Sequence, residues 1–225
     1  KLSPSTYNQH VKTLDLVWAV LREPGKIDVN PWAWDKKGKT GMKRLTINKI
    51  ERRKKALSLE QIGTLLEKAA GDYKDLLTML AYTGQRLVDM VKLQWDTVDF
   101  RSRVITLSPC KTERRTGKEV FIPLLPAAES VLLNRVRGGR YVFPALVAEY
   151  ERDNGTGMAK KIGAIFTAAG LNRHKENSNG GRAIVEYGAH SLRHGFVTIA
   201  RGAGIPDALI RQITGHSFSG EPIQS

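Results

Sequence analysis

Hydrophobic residues recur at three- and four-residue intervals along most of the chain, which is the spacing of one helix face. The first such run begins at Ser3 and Pro4, a favourable N-cap and first helical position, and ends before Pro24 and Gly25. One amphipathic helix cannot bury its apolar face alone. We therefore expect residues 1–35 to be the end of a helical unit that begins before residue 1.

A second series of elements begins at Ser58. Ser58 and Gln61 have the spacing of a capping box, which predicts the start of a helix. A run from Tyr73 to Leu80 predicts a second helix that stops at Gly84, and a third follows it. The apolar positions of the first and third helices are Leu59, Ile62, Leu65, Leu66 and Ala69, and Leu87, Met90 and Val91.

Two short runs rich in β-branched residues, Val104–Leu107 and Val120–Ile122, predict strands. A polar loop, SPCKTERRTGK, joins them. Further helices are predicted over residues 126–137, 158–169, 190–201 and 206–214, and a polar loop over 172–183 leads to a short strand at 184–187. The predicted class is therefore mainly α with a small antiparallel β-sheet (α+β).

The charge of the chain is strongly unbalanced. It has 36 lysines and arginines against 22 aspartates and glutamates, which gives a formal net charge of +14. Such an excess predicts a polyanionic partner, either nucleic acid or an anionic membrane surface. Nucleic acid is favoured, because no apolar run approaches the ~18–20 residues that span a bilayer. The single cysteine, Cys110, excludes an internal disulfide and favours a reducing compartment, the bacterial cytosol or nucleoid.

Basic residues are densest between positions 36 and 55, where the only acid is Glu51. Most charge runs are solvated linkers, but the net charge favours a segment that lies along a phosphate backbone. The residues predicted to contact DNA are Lys36, Lys37, Lys39, Lys43, Arg44, Arg52, Arg53, Lys54 and Lys55, together with Arg114, Arg115 and Lys118 of the polar loop.

Two segments place cations at helix boundaries. TGQR, residues 83–86, puts Arg86 just after a helix break, with Asp89 three residues later. Such a pair is most often a structural salt bridge. AHSLRHGF, residues 189–196, puts His190, Arg193 and His194 at a predicted helix start without an intervening acid. Because helix N-termini favour anions, this segment is either an anion site or a solvated basic turn.

Two other segments carry single candidates. Lys111 lies in the polar loop, and a lysine-rich hairpin tip is usually solvated, although it can also reach a DNA groove or a leaving group. TGHS, residues 214–217, puts His216 directly after a glycine that ends a helix. A lone histidine there is more often structural, since the helix dipole favours a cation at that end.

Taken together and in this order, the four segments resemble the catalytic domain of the tyrosine recombinase (phage integrase) family. The family pattern has an arginine in T-G-x-R, a hairpin lysine, an H-x-x-R pair, a G-H pair and a nucleophilic tyrosine. The matching residues are Arg86, Lys111 (with Lys118 as a substitute), His190, Arg193 and His216, and Asp89 matches the acid that often follows the first arginine. The resemblance runs over roughly residues 58–217.

The resemblance implies two domains. Residues 1–50 correspond to the C-terminal part of a helical core-binding domain and a basic linker. Residues 51–225 correspond to the catalytic domain, lacking its C-terminal end. The implied partners are double-stranded DNA and further copies of the chain, as a tetramer on DNA that is largely monomeric without it, and no membrane.

The resemblance also implies an activity, that of a site-specific DNA recombinase of a phage or another mobile genetic element. In this family a tyrosine oxygen attacks a DNA phosphodiester and forms a 3′-phosphotyrosyl link. The released 5′-hydroxyl then attacks the corresponding link of a second strand. The reaction consumes no metal or other cofactor, so side chains must stabilise the charge that builds on the phosphoryl oxygens.

The implied roles follow the motif. Arg86 and Arg193 clamp the non-bridging oxygens, because a guanidinium donates two parallel hydrogen bonds and keeps its charge. Lys111 acts as the general acid for the departing 5′-oxygen. His190 helps to accept the tyrosine proton, and His216 donates a hydrogen bond to the phosphate. Asp89 supports the Arg86 region by charge pairing.

The nucleophile is where the chain departs from the family pattern. No tyrosine follows His216, although the family's tyrosine commonly lies about nine or ten residues beyond that histidine. Tyr187 lies on the wrong side of the motif, and Tyr82 belongs to an apolar helix face and is expected in the core. We expect the nucleophile to follow Ser225, so that these 225 residues bind DNA without cleaving it.

Three other functions are compatible with parts of the pattern. A non-catalytic DNA-binding protein of the same fold would tolerate loss of Lys111 and His190, both of which are present. A type IB topoisomerase shares the chemistry, but the TGQR and GHS contexts favour an integrase. A basic RNA-binding or ribosome-associated protein would need none of the four segments in order.

Overall fold

The computed structural model describes residues 4–21, 30–33, 55–108, 119–171, 174–175 and 184–215. The chain divides into two compact units, Lys1–Arg52 and Arg53–Ser225. In the first unit, helix α1 spans Pro4–Leu21, as the sequence predicts. Val11 is buried on this helix, and the Asn30 amide donates a hydrogen bond to Asp15 at 2.6 Å.

The second unit begins with helix α2, Leu59–Lys68, and its predicted capping box is confirmed. Ser58 Oγ accepts from the Gln61 backbone N–H at 3.2 Å, and Gln61 Oε1 accepts from the Ser58 N–H at 3.0 Å. These two bonds satisfy helix-end donors that would otherwise lack partners. Ile62 and Leu65 of the predicted stripe are buried, whereas Leu59 is 68% exposed.

Helix α3, Gly71–Thr83, is the central element of the core, and it packs against two later helices, Pro126–Leu133 and Ala189–Gly202. It ends at Gly84, which has a left-handed φ of 64°. A Cβ at this position would lie 2.4 Å from Cδ1 of Phe196, so both the turn and the packing require glycine. Helix α4, Leu87–Val91, starts immediately after the turn.

A three-stranded antiparallel sheet follows, made of β1 (Val98–Asp99), β2 (Val104–Leu107) and β3 (Val120–Pro123). Ile105 pairs with Ile122 and Leu107 with Val120. These apolar side chains point into the core from one face of the sheet, while Phe121 is 61% exposed. The predicted hairpin of β2 and β3 is confirmed, and β1 is an additional strand. The tip of the hairpin lies outside the described residues.

Helices and one pair of short strands make up the rest of the described part of this unit. They are α5 (Pro126–Leu133), α6 (Pro144–Asp153), α7 (Thr156–Ala168), the pair β4 (His174–Lys175) and β5 (Ile184–Val185), α8 (Ala189–Gly202) and α9 (Asp207–Thr214). The sequence pattern does not predict helix α6 or strand β4. Strand β4 falls in the predicted loop 172–183, and its pairing with β5 covers two residues of each strand.

The predicted class, mainly α with a small antiparallel sheet, is confirmed. The core of the second unit contains Leu76, Leu77, Leu80, Phe143 and Phe166, all fully buried. Within the described parts of the chain, no helix is both long and apolar enough to cross a membrane.

Candidate active site

The turn between α3 and α4 positions the first candidate arginine. Arg86 is the N-cap residue of α4 and has an extended backbone. Its Nη1 lies 3.8 Å from Oδ2 of Asp89, in the first turn of α4. The Arg86 side chain is 19% exposed and that of Asp89 is 2% exposed. The predicted charge pair is therefore present, and it is largely buried.

The N-terminal turn of α8 carries the second group. Gly188 precedes the helix, and its N–H donates to Oγ of Ser191 at 3.2 Å. His190 is exposed, whereas Arg193, nearly one turn later, is 2% exposed. Gly195 allows α8 to approach the chain closely at Leu57, since a Cβ there would lie 2.9 Å from the Leu57 carbonyl oxygen. The two candidate side chains therefore meet very different environments, one in solvent and one in the core.

Arg193 bridges two helix ends. Its Nη1 donates to the Gly84 carbonyl at 2.9 Å, and its Nη2 donates to the Thr214 carbonyl. Gly84 caps the C-terminus of α3, and Thr214 is the last residue of α9. Helix C-termini carry partial negative charge, so both ends favour the buried guanidinium. This contact ties the turn that bears Arg86 to the end of the helix that precedes His216.

Arg86 is close enough to Arg193 to lower the pKa of Arg193. Burial and, to a smaller extent, the positive charge of Arg86 together lower the pKa of Arg193 to about 10, while Asp89 opposes both effects. A buried cation beside a second cation is unfavourable by itself. Arg193 nevertheless stays protonated at neutral pH, so the site combines two guanidinium charges with one carboxylate. That balance favours an anionic ligand.

Arg86 has unused capacity for such a ligand. Its Nη1 is buried and makes no hydrogen bond within the described part of the chain. Buried polar groups are hydrogen-bonded in the great majority of cases, so an exception of this kind calls for a ligand or another explanation. A phosphoryl oxygen is an acceptor of the required charge.

His190 and His194 form a pair on the exposed side of α8. Their ring centroids are 5.3 Å apart and their planes meet at 81°, an edge-to-face arrangement. The spacing of four residues places both rings on the same helix face. Both rings are exposed, whereas Arg193 on the same helix is buried.

Several predicted site residues lie outside the described residues. They are Lys111 and His216, the loop residues Arg114, Arg115 and Lys118, and the linker residues Lys36, Lys37, Lys39, Lys43, Arg44, Arg52, Arg53 and Lys54. The described elements next to them end at Leu107 and begin at Val120 in the hairpin, and Gly215 follows α9.

Lys55 is the one predicted DNA contact that the structure describes. Its Nζ lies 3.1 Å from Oε2 of Glu186, and the hydrogen bond to Glu186 raises the pKa of Lys55. The Lys55 backbone N–H also donates to the Glu186 carbonyl at 3.0 Å. Lys55 therefore joins the start of the second unit to the segment before α8, in addition to any contact with DNA.

The structure corrects one expectation and adds one residue. The sequence places Tyr82 in the core, but Tyr82 is 36% exposed and lines an apolar groove of about 330 Å³ together with Phe196 and Ile205. No motif points to Gln85, yet it is 1% exposed and contacts the end of α9. The only sequence signal for it is a polar residue between Gly84 and Arg86. Within the described residues, no group of three His, Cys, Asp or Glu side chains could hold a metal ion.

The match to known proteins covers most of the second unit. The model of the phage integrase family matches residues 55–220. The chain belongs to this family. Among curated proteins, none matches the chain by sequence.

Solved structures of integrases and recombinases share the fold. The Tn1549 transposon integrase in complex with circular intermediate DNA has a TM-score of 0.65 at 18% identity, covering 96% of this chain and 73% of that one. XerA recombinase has a TM-score of 0.55 at 19% identity, covering 96% and 68%. A lambda integrase dimer bound to a COC′ core site has a TM-score of 0.64 at 16% identity, covering 98% and 77%. At these identities the likeness establishes the integrase fold.

Proposed function

We propose that this integrase cleaves and rejoins DNA strands at specific sites through a 3′-phosphotyrosyl intermediate. The observation that carries the proposal is the buried Arg193, whose hydrogen bonds to the Gly84 and Thr214 carbonyls hold it beside the turn that bears Arg86. Two guanidinium groups beside one carboxylate provide a site for a single phosphodiester. This is the arrangement that phosphoryl transfer without a metal requires.

The proposed roles of the arginines follow from their environments. Arg86, whose side chain is 19% exposed, donates to a non-bridging oxygen of the scissile phosphate. Arg193 contributes its positive charge from a buried position, and its hydrogen bonds hold the Gly84 turn and the end of α9 in place. Since both groups are fixed before DNA arrives, they need little reorganisation when charge develops in the transition state.

The other roles are those that the family pattern implies. Lys111 donates a proton to the departing 5′-oxygen, and His190, exposed at the start of α8, helps to accept the tyrosine proton. His216 donates a hydrogen bond to the phosphate, and Asp89 orients Arg86. The phosphotyrosyl bond conserves the energy of the phosphodiester, so rejoining needs no nucleotide.

We also propose that the protein assembles as a tetramer on two duplexes and is largely monomeric without DNA, in a bacterial cytosol. Support comes from lambda integrase, which has been captured as a tetramer bound to a Holliday junction. The net charge of +14 supports binding along the DNA backbone, for which the linker lysines and arginines are the proposed contacts.

The experiment that tests the function is exchange between two duplexes. The full-length protein is mixed with two labelled duplexes that carry the recombination site of the element that encodes it. We expect recombinant products, and none from the Arg86→Ala variant. Relaxation of supercoiled DNA at any sequence would indicate a topoisomerase instead, and binding without exchange would indicate a non-catalytic protein.

A further inference from the structure

Gln85 is a buried polar side chain in the turn that bears Arg86. Its Nε2 donates to the Ile213 carbonyl at 2.7 Å and to the Thr83 carbonyl at 3.0 Å. Its Oε1 is buried and has no hydrogen-bond partner in the described part of the chain. These two hydrogen bonds orient the side-chain amide with Nε2 towards the end of α9. The same orientation leaves Oε1 as an unsatisfied acceptor.

The last four carbonyls of α9 accept hydrogen bonds from three residues. The last four carbonyls of a helix have no partner within it. The Gly215 N–H, in a left-handed cap, donates to the carbonyls of Arg211 and Gln212. Gln85 supplies the donor for Ile213, and Arg193 supplies the donor for Thr214. Two side chains from elsewhere in the chain thus complete this helix end.

We propose that Gln85 is a positioning residue that docks the end of α9 onto the Arg86 turn. This inference rests on the function proposed above. Gln85 is 1% exposed, so it acts through its neighbours and not by touching DNA.

Glutamine suits this position for an electrostatic reason. A donor is needed, because an apolar side chain would leave the Ile213 carbonyl buried without a partner. A lysine or arginine would supply a donor but would add a third cation beside Arg86 and Arg193, whose charges already oppose each other. A neutral amide provides the hydrogen bond without that repulsion.

Gln85→Met tests the inference, because methionine has a similar length and is apolar. In the full-length protein we expect amide hydrogen exchange in residues 207–215 to become about tenfold faster, while exchange in α2 stays unchanged. We expect covalent adduct formation on a nicked site to slow by about tenfold at saturating DNA, which corresponds to about 1.4 kcal/mol of activation free energy. The Kd for DNA should stay within about twofold, since the linker supplies most of the charge.

Two further variants make the test decisive. Tyr73→Phe removes a partly buried hydrogen bond to Glu149 far from the turn and should change neither measurement. Gln85→Glu keeps the shape of the side chain but replaces the donor by an acceptor. It should also speed amide hydrogen exchange in residues 207–215.

Unchanged exchange in residues 207–215 would overturn the inference, and so would equal acceleration in α2, which would indicate a general loss of stability. Wild-type adduct formation by Gln85→Met would overturn it as well. If the wild-type protein itself formed no adduct, the proposed function would fail, while the exchange measurement would still decide whether Gln85 docks α9.

Discussion

Arg193 contributes both to the fold and to the proposed chemistry. Its side chain is buried, it donates to the carbonyl ends of α3 and α9, and it places a positive charge beside Arg86. A buried charge is stabilised only when its surroundings are arranged for it. Here two negative helix ends and Asp89 provide that arrangement, so the contacts that stabilise the buried Arg193 also keep its charge near Arg86.

Arg193→Lys should therefore separate binding from cleavage. Lysine carries its charge on one nitrogen and cannot hold both carbonyls with the planar fork of arginine, so its charge would not stay in the same place. We expect adduct formation to fall by about 100-fold or more, the order of loss seen when one transition-state donor is removed. DNA binding, measured by fluorescence anisotropy, should change little.

Arg201→Lys is the matched control for this substitution. Arg201 lies on the same helix, α8, but is exposed and paired with Asp207 at 2.6 Å. This variant should cleave at the wild-type rate. Wild-type cleavage by Arg193→Lys would remove Arg193 from the proposed site.

The local motifs predict which residues of the site matter but not how they are held. Arg86 and Asp89 lie three residues apart at the start of α4, and their ion pair follows from that spacing. The contacts of Gln85 and Arg193 with residues 213 and 214 join parts of the chain that lie far apart in sequence. No periodicity encodes such contacts, since they depend on how the helices pack.

At the scale of elements, strong start and stop signals give correct predictions. Ser58 with Gln61 and the left-handed Gly84 define the beginning of α2 and the end of α3. Helix α6 is not predicted because its sequence lacks a long apolar stripe. Its buried residues are only the adjacent Leu146 and Val147, and charged residues fill its second half. Its signals are Pro144 at the first turn and Asn154 in a left-handed cap.

The hairpin of β2 and β3 carries a prediction that separates its two lysines. If Lys111 protonates the leaving 5′-oxygen, Lys111→Ala should cleave ordinary DNA very slowly. It should regain activity on DNA with sulfur in place of that oxygen, because a thiolate leaves without a general acid. Lys118→Ala should cleave both substrates normally.

The measurement for the hairpin is the rate of strand cleavage of matched oxygen- and sulfur-containing duplexes in the full-length protein. Loss of cleavage in Lys118→Ala with rescue by sulfur would move the role of general acid to Lys118. Failure of sulfur to rescue either variant would contradict a general-acid role for the hairpin.

At the scale of the whole molecule, we expect charge to govern the interaction with DNA. The net charge of +14 predicts duplex binding that weakens steeply as salt is added. The slope of log K against log salt should be about −0.9 for each phosphate neutralised. Replacing Lys36, Lys37 and Lys39 by alanine should make the slope shallower by about 0.9 for each phosphate that the variant leaves without a cation. Isothermal titrations at several salt concentrations measure this, and a slope near zero would contradict the DNA-binding surface.

The most direct test of the central claim is covalent adduct formation in EDTA on a nicked duplex that carries the recombination site. We expect the full-length protein to form an adduct with the 3′-phosphate of the cleaved strand, through a tyrosine that follows His216, and to leave a free 5′-hydroxyl. A requirement for a divalent metal, or a 5′-phosphoryl linkage in the adduct, would contradict the account.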